Sequence, residues 1–392
     1  MPNILIQNAL GGATPQTAQS VQVPEQPKSA EDMEIEKIAD QLSVCIKLVG
    51  CGGAGCNTVN RCIDGGLSGI QMLALNTDAK HLLTIKSPKK ILLGKMSTRG
   101  LGAGARPEVG EKAAMENEPE IKEWLKDSQI VFVTAGMGGG TGTSSSFVVG
   151  RLAKELRALT VGVVTLPFRS EGEMRMENAM AGLSKLSKVC DTTIVIPNDT
   201  LIELVPNLPV QAAFKVADEL LLQTIKGLTD MLTRAGLVNV DYADLKTILN
   251  EGGVSLIGVG EAEGKPIERV EDAVEEALNS PLLGKIDLKD ARGALVRVVG
   301  GPDMSIEEAA KAAEIISSRI KREARLIWGC SIEPDMQGKI KLLLIITGAR
   351  SQYVLLRDGS EPVVTRTSED YRGKVNVPPS IYRDEDTSMF VR

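Results

Sequence analysis

Two glycine-rich turns constrain this chain more than any other feature, because each lies between an apolar strand-length run and the start of a helical pattern. The first is Gly50-Cys51-Gly52-Gly53-Ala54-Gly55, and the second is Gly136-Met137-Gly138-Gly139-Gly140-Thr141-Gly142-Thr143. Around them, strands are expected at residues 45–50, 71–76, 90–93, 127–134, 160–166 and 192–197, with helices starting at Asn57 and over 145–159. Apolar strands that alternate with helices, without a polar face of their own, are the mark of a parallel sheet covered on both sides. The first half of the chain is therefore expected to be an α/β, Rossmann-type parallel-sheet domain.

Residues 210–235 have a different character. Val216, Leu220, Ile225, Leu228 and Leu232 keep helical spacing across the stretch. Such a helix would be about 38 Å long, the width of a small domain, and reads as a connecting spine. Beyond it, strands at 255–260, 294–299, 325–332, 339–347 and 353–356 and helices at 270–278 and 306–320 suggest a smaller α+β domain. The expected organisation is a flexible N-terminal extension (1–43) with a short helix over 31–42, a nucleotide-binding domain (44–209), a central helix (210–236), an α+β domain (237–357) and a flexible tail (358–392).

Composition removes several classes of function. Aromatic residues make up only 3% of the chain, too few for a surface that stacks single-stranded nucleic acid. The formal net charge of −6 disfavours nucleic acid and anionic lipid as partners. The six cysteines are too few for a disulfide scaffold, and Cys51, Cys56 and Cys62 match no zinc or redox spacing, so they read as buried thiols. The single histidine, His81, reads as a surface residue in a helical stretch, which leaves no histidine-based triad. No signal peptide and no membrane-length apolar run is present, so the expected setting is cytoplasmic, with no direct membrane insertion.

What the glycine turns do follows from backbone chemistry. Glycine lets backbone N–H groups approach an anion closely, and a helix that opens at the turn presents its positive end to it. Gly50, Gly52 and Gly55 alone fit a dinucleotide fold, with Asp78 after the second strand on the ribose. A second loop with five glycines in seven residues is superfluous for a dinucleotide, but useful for the inner and outer phosphates of a nucleoside triphosphate. A third stretch, Gly100-Leu101-Gly102-Ala103-Gly104-Ala105-Arg106, is suited to closing over the terminal phosphate. No G-x-x-x-x-G-K-[ST] motif occurs, so phosphate charge falls to backbone dipoles, a metal ion, and Arg106 or Arg175.

The loop from Gly138 to Thr143, together with residues 52–57, Asn76-Thr77-Asp78, the 102–107 stretch and Asn239-Val240-Asp241-Tyr242-Ala243-Asp244, closely resembles the tubulin/FtsZ superfamily. Within it, the order and spacing are similar to the prokaryotic FtsZ-type division GTPases, most of all the archaeal ones, over residues 44–348. The resemblance implies a GTP/GDP-binding GTPase that polymerises head-to-tail into filaments of a division ring. It implies phosphate contacts from Gly52, Gly53, Ala54, Gly55, Gly102, Ala103, Gly104, Gly138, Gly139, Gly140, Thr141, Gly142 and Thr143. Asn57 would reach the base, Asn76 and Asp78 would join the site, Glu171 and Arg175 would serve the ribose side, and Asn198 would contact the nucleotide. Phe214 would stack on guanine and Asp218 would read it. No metal-ligating residue is implied, since Mg2+ would ride on the phosphates. The partners would be further copies of the chain and a membrane-tethering adaptor on the C-terminal tail, at the division site.

The Asp218 assignment has a chemical reason: a carboxylate accepts from the N1–H and N2–H2 edge of guanine, whereas adenine would face it with an acceptor. For Asp241 and Asp244 the residues alone suggest an N-cap and its N3 partner. The resemblance adds a catalytic role for both, with Asn239, in which they position the attacking water in the next subunit's site. Two positions depart from the family pattern. Ser144 replaces glycine and would put a Cβ near the phosphates or cap the helix, and Arg106 replaces asparagine and would add charge near the γ-phosphate. Two rival readings are an NAD-dependent oxidoreductase on residues 50–55 and a tubulin-like protein that binds GTP without cleaving it.

Overall fold

β1 (Ile46–Cys51) is buried along its whole length and pairs in parallel with β2 (Ile70–Asn76) on one side and β4 (Ile130–Gly136) on the other. The structure, a computed structural model, describes residues 44–204, 210–233, 238, 240–250, 253–284 and 287–349. The expected helix over 31–42, the edge strand at 353–356 and Asn239 lie outside the described residues. β3 (Lys89–Leu92), β5 (Leu159–Leu166) and β6 (Thr192–Pro197) extend the parallel set. β7 (Gly253–Glu263), β8 (Gly293–Gly300), β9 (Arg325–Ile332) and β10 (Lys339–Thr347) follow in one continuous sheet of order β3-β2-β1-β4-β5-β6-β7-β10-β8-β9. The α/β expectation holds, and the second half is mixed: β10 is antiparallel to both β7 and β8. The halves are joined within the sheet itself, where Thr192, Thr193 and Ile194 of β6 run parallel to Gly253, Val254 and Ser255 of β7.

Helices cover both faces. α1 (Gly52–Asp64), α2 (Ala79–Thr84), α3 (Pro107–Glu116), α4 (Glu118–Leu125), α5 (Thr141–Glu155), α6 (Glu173–Val189) and α7 (Asn198–Leu204) belong to the first half. α8 (Val210–Thr233) is the spine, and α9 (Tyr242–Leu249), α10 (Pro266–Leu278) and α11 (Ile306–Arg319) follow it. Val216, Leu220, Leu221, Ile225 and Leu228 of α8 share one core with Val59 and Cys62 of α1, with Val161, Val163 and Ile194 of the first half, and with Ile257, Leu343 and Ile345 of the second. A single helix of 24 residues, about 36 Å long, is thus buried against both halves at once.

The glycine turns differ from expectation in one way that matters. The spacing predicts a helix from Asn57, but α1 begins at Gly52, and α5 begins at Thr141 rather than 145. The glycines are therefore the first helical turns themselves. Gly52 sits at φ +71°, which turns the chain out of β1, and a side chain on Gly55 would overlap the carbonyl of Thr134, so only glycine lets α1 lie this close to β4. α3, α4, α6 and α7 are not legible in the sequence, because the buried faces of α3 and α6 are built largely from small residues and α4 and α7 are only eight and seven residues long. Among the described residues no helix is long and apolar enough to cross a membrane.

Candidate nucleotide site

The first six strands follow the order 3-2-1-4-5-6, so the direction of winding reverses between β1 and β4. Open α/β sheets bind ligands in the crevice at the carboxyl ends of the strands at such a point. A cleft of about 240 Å3 opens there. Gly53 and Ala54 line it from α1, Gly139 to Gly142 from the start of α5, Thr165 and Pro167 from the end of β5, and Phe214, Ala217, Asp218 and Leu221 from α8.

Two helix N-termini converge on this cleft. The Cα of Gly52 is so near α5 that a Cβ on it would lie 2.6 Å from the Gly142 nitrogen. Neither α1 nor α5 carries an acidic residue in its first turn, and neither N-cap, Cys51 or Gly140, supplies a side-chain hydrogen bond to it. The first N–H groups of both helices are thus left for a ligand, and their partial positive charges add. Gly138 keeps the second loop open at φ +97°, and its N–H donates to Thr143 Oγ1 at 2.8 Å.

The third glycine stretch is stitched to the others without lining the cleft. Gly102 N–H donates to the Thr77 carbonyl at 3.1 Å, Ala79 N–H to the Gly100 carbonyl at 3.0 Å, and the Thr77 and Thr141 hydroxyls are 2.6 Å apart. Ala103 is buried beneath Gly140. Gly100, Gly102, Gly104 and Ala105 all have left-handed backbone, a conformation that costs non-glycine residues such as Ala105 about 1 kcal/mol.

On the base side, Phe214 is 43% exposed and meets the buried Phe168 edge-to-face at 5.2 Å, which leaves one ring face open to the cleft. Asp218 lines the same wall, and burial pushes its carboxyl up to about 7, an effect that Arg61 and Thr58 oppose. Glu171 accepts from the Phe168 N–H at 2.9 Å and pairs with Arg175 at 3.1 Å, fixing the loop after β5. Asn198 is buried, and its Oδ1 has no partner among the described residues while the residue faces the cleft, an acceptor waiting for a donor.

Of the expected nucleotide residues, Gly53, Ala54, Gly139, Gly140, Thr141, Gly142, Glu171, Arg175, Asn198, Phe214 and Asp218 are brought together. Gly52, Gly55, Gly138 and Thr143 shape the loops from behind. Asn57 stands apart from the lining: its Oδ1 faces His81 Nε2 at 3.1 Å, and Asn76 Nδ2 meets His81 Nδ1 at 3.0 Å. His81 is therefore not the plain surface residue its surroundings in sequence suggest, because it clasps α1 to the end of β2. Asp78 caps α2, accepting from the His81 N–H at 3.0 Å. Ala217 and Leu221 belong to no sequence motif, although i, i+3, i+4, i+7 spacing from Phe214 marks them.

The two departures take these places. Ser144 Oγ donates to the Gly140 carbonyl at 2.7 Å and abuts Gly110 of α3, so its hydroxyl is bonded within the first turn of α5. Arg106 is exposed and is the N-cap of α3, its backbone packed on Gly140.

Asp241 and Asp244 lie elsewhere. Asp241 is the N-cap of α9 and accepts from the Asp244 N–H at 2.7 Å, as the residues alone suggest. Tyr242, between them, donates its hydroxyl to the Gln129 carbonyl at 3.2 Å. Gln129 precedes β4, whereas the cleft lies beyond its other end, about 23 Å away for a seven-residue strand. Both carboxylates are exposed.

Residues 45–206 match the Tubulin/FtsZ family, GTPase domain, and residues 253–350 the FtsZ family, C-terminal domain. The chain belongs to the FtsZ family. It is 48% identical over 343 residues to Cell division protein FtsZ 1 of Archaeoglobus fulgidus, covering 87% of this chain and 92% of that protein. It is also 48% identical over 324 residues to Cell division protein FtsZ 1 of Methanocaldococcus jannaschii, covering 83% and 88%. Among solved structures, the empty FtsZ dimer of M. jannaschii, at 48% identity, superposes with a TM-score of 0.77 over 82% of this chain and 93% of that one. A GTPγS-bound protofilament of CetZ2 from Haloferax volcanii shares the fold at 21% identity, with a TM-score of 0.68 over 82% of this chain and 95% of that one. As an FtsZ-family protein, the chain is a tubulin-like cell-division GTPase that binds GTP and GDP, which removes the oxidoreductase reading.

Proposed function

We propose that this FtsZ-family chain is the subunit of a head-to-tail filament and that each GTP is cleaved at the junction between neighbours. The observation that carries the proposal is polar separation. The cleft with its uncapped helix ends lies at the carboxyl ends of the strands, and the exposed pair Asp241 and Asp244 lies at the opposite end of the sheet. A chain folded this way cannot bring its own carboxylates to its own cleft. A second copy stacked in the same direction brings them to the open face, and such a heterologous contact does not close, so it propagates as a filament.

In this reading Gly53, Ala54 and the α5 loop cradle the phosphates through backbone N–H groups, and the Gly102-Ala103-Gly104 loop covers the γ-phosphate from its anchor on Thr77. Phe214 stacks on the base, Asp218 accepts from its N1–H and N2–H2 edge, and Asn198 accepts from the sugar or base. Asp241 and Asp244, with Asn239, hold a water in line with the γ-phosphate and accept its proton as the phosphoryl group leaves. The Asp241 side chain is already fixed by its capping bond, so the loop is pre-organised. Mg2+ would be brought in on the phosphate oxygens and held mainly by them. When bound there, Mg2+ neutralises charge on the triphosphate. We further place the protein in the cytoplasm at the division site, tethered through its C-terminal tail to a membrane adaptor.

Complementation tests the shared site. Asp244→Ala keeps an intact cleft and Asp218→Asn keeps intact carboxylates. Each alone should release little phosphate from GTP, and the mixture should recover turnover at mixed junctions. A mixture as inactive as its components would refute the shared site. Turnover per subunit in the unmodified chain should also climb with protein concentration.

A further inference from the structure

The wall behind Asp218 holds a second charged group that no phosphate or base contact uses. Arg61 of α1 donates through Nε and a terminal nitrogen to Glu219 Oε2, at 3.0 and 2.7 Å. Glu219 is buried, at 3% exposure, and is the immediate neighbour of Asp218 on α8. Its other oxygen accepts from Gln223 Nε2 at 2.8 Å, and Gln223 Oε1 in turn accepts from Lys341 Nζ of β10 at 2.8 Å. Thr58, one turn before Arg61 on the same helix, donates to the Ala54 carbonyl at 3.1 Å.

We infer that Arg61 is a positioning residue for guanine recognition: clamped by Glu219 beside the Asp218 wall, its guanidinium favours the carboxylate form of Asp218 that faces the cleft. The inference rests on the reading of Asp218 as the group that pairs with the purine edge. A carboxylate accepts from both N1–H and N2–H2, whereas a protonated carboxyl points an O–H at one of those donors and loses a hydrogen bond. Without Arg61, two adjacent acids would share a poorly hydrated wall, and one would hold a proton. Among the described residues, three ionisable groups bear on Asp218. Arg61 favours the charged form, Glu219 opposes it, and the Cys62 thiol beside them is pushed up to about 12 by burial and by both acids, so it stays neutral.

The test is equilibrium binding of GTP and ITP, which lacks the 2-amino group, to the full chain from pH 6 to pH 9. Arg61→Met should weaken GTP by about fivefold at pH 7, shift the midpoint of the affinity profile upward by about one pH unit, and recover at pH 9. Its preference for GTP over ITP at pH 7 should collapse, and Arg61→Lys should restore most of both. A merely structural loss would lower affinity by the same factor at every pH, and an unmoved midpoint overturns the inference. If Arg61→Met does not fold, Glu219→Gln serves: removal of the opposing charge should move the midpoint down, and an unmoved midpoint again overturns the inference. Asp218→Asn separates the two readings. If it leaves GTP affinity and preference intact, Asp218 is not the base reader. If it abolishes them while Arg61→Met changes nothing, only the role of Arg61 fails.

Discussion

The ionisation of Asp218 sets how this protein should respond to pH. Burial raises its carboxyl from 3.8 to about 7, so the free protein near neutrality is divided between a form that can accept from guanine and one that cannot. Competent protein is the fraction above the midpoint, and apparent affinity falls by that fraction: about twofold at pH 7 and about elevenfold at pH 6, relative to pH 9. The same shift has a stability side. Between about pH 4 and pH 7 the folded chain keeps a proton that the unfolded chain has released, so stability is lost as pH rises through that window, by at most about 4 kcal/mol from this group. Bound guanine nucleotide, which favours the carboxylate, reverses that loss. The assay is titration of a fluorescent GTP analogue at fixed pH values, with the free analogue's own phosphate titration, followed in the same buffers, as the control. Wild-type affinity that is flat from pH 6 to pH 8 once that control is subtracted would refute the reasoning.

Three further outcomes follow from packing. Ser144→Gly should change GTP affinity less than about twofold, because Ser144 faces Gly110 and not the cleft; calorimetric titration checks it. Gly110→Ala should destabilise the chain by about 1–3 kcal/mol in urea unfolding, since the new methyl would lie 2.5 Å from Ser144 Oγ and overlap the Gly140 carbonyl. Arg269→Met should cost about 3–5 kcal/mol in the same assay, because the buried guanidinium holds Glu308 at 2.6 Å and Asp303 at 2.7 Å and its loss leaves Glu308 charged in the core.

Much of this architecture is legible from residues alone, and what is not has physical reasons. β6 and β10 have the bounds their apolar runs predict, because a strand covered on both faces has no competing pattern, and the edge strand β9, though only half-buried, also keeps its predicted bounds. The helix starts at Gly52 and Thr141 are hidden, since glycine has low helix propensity and reads as a turn even where it forms the first helical turn. α6 and α3 escape a hydropathy reading because their surfaces are wet on one side and carry a small-residue packing stripe that hydropathy does not weigh. In the site, Asp218 and Phe214 are legible through resemblance and fixed by geometry, whereas Thr165 and Pro167 line the cleft only because β5 ends there. The clasp of His81 between Asn57 and Asn76 is illegible, since it depends on two turns meeting that are far apart in sequence.

The pairing of β6 with β7 spans only three positions, while its neighbours β5–β6 and β7–β10 span six and nine. A sheet narrowed in this way is stiff in its two broad slabs and compliant at the waist between them. A pull applied along a string of such subunits would stretch the slabs little and bend each molecule at that waist, with α8 acting as the leaf spring that restores it. Curvature would then arise inside every protomer as well as at the joints between them.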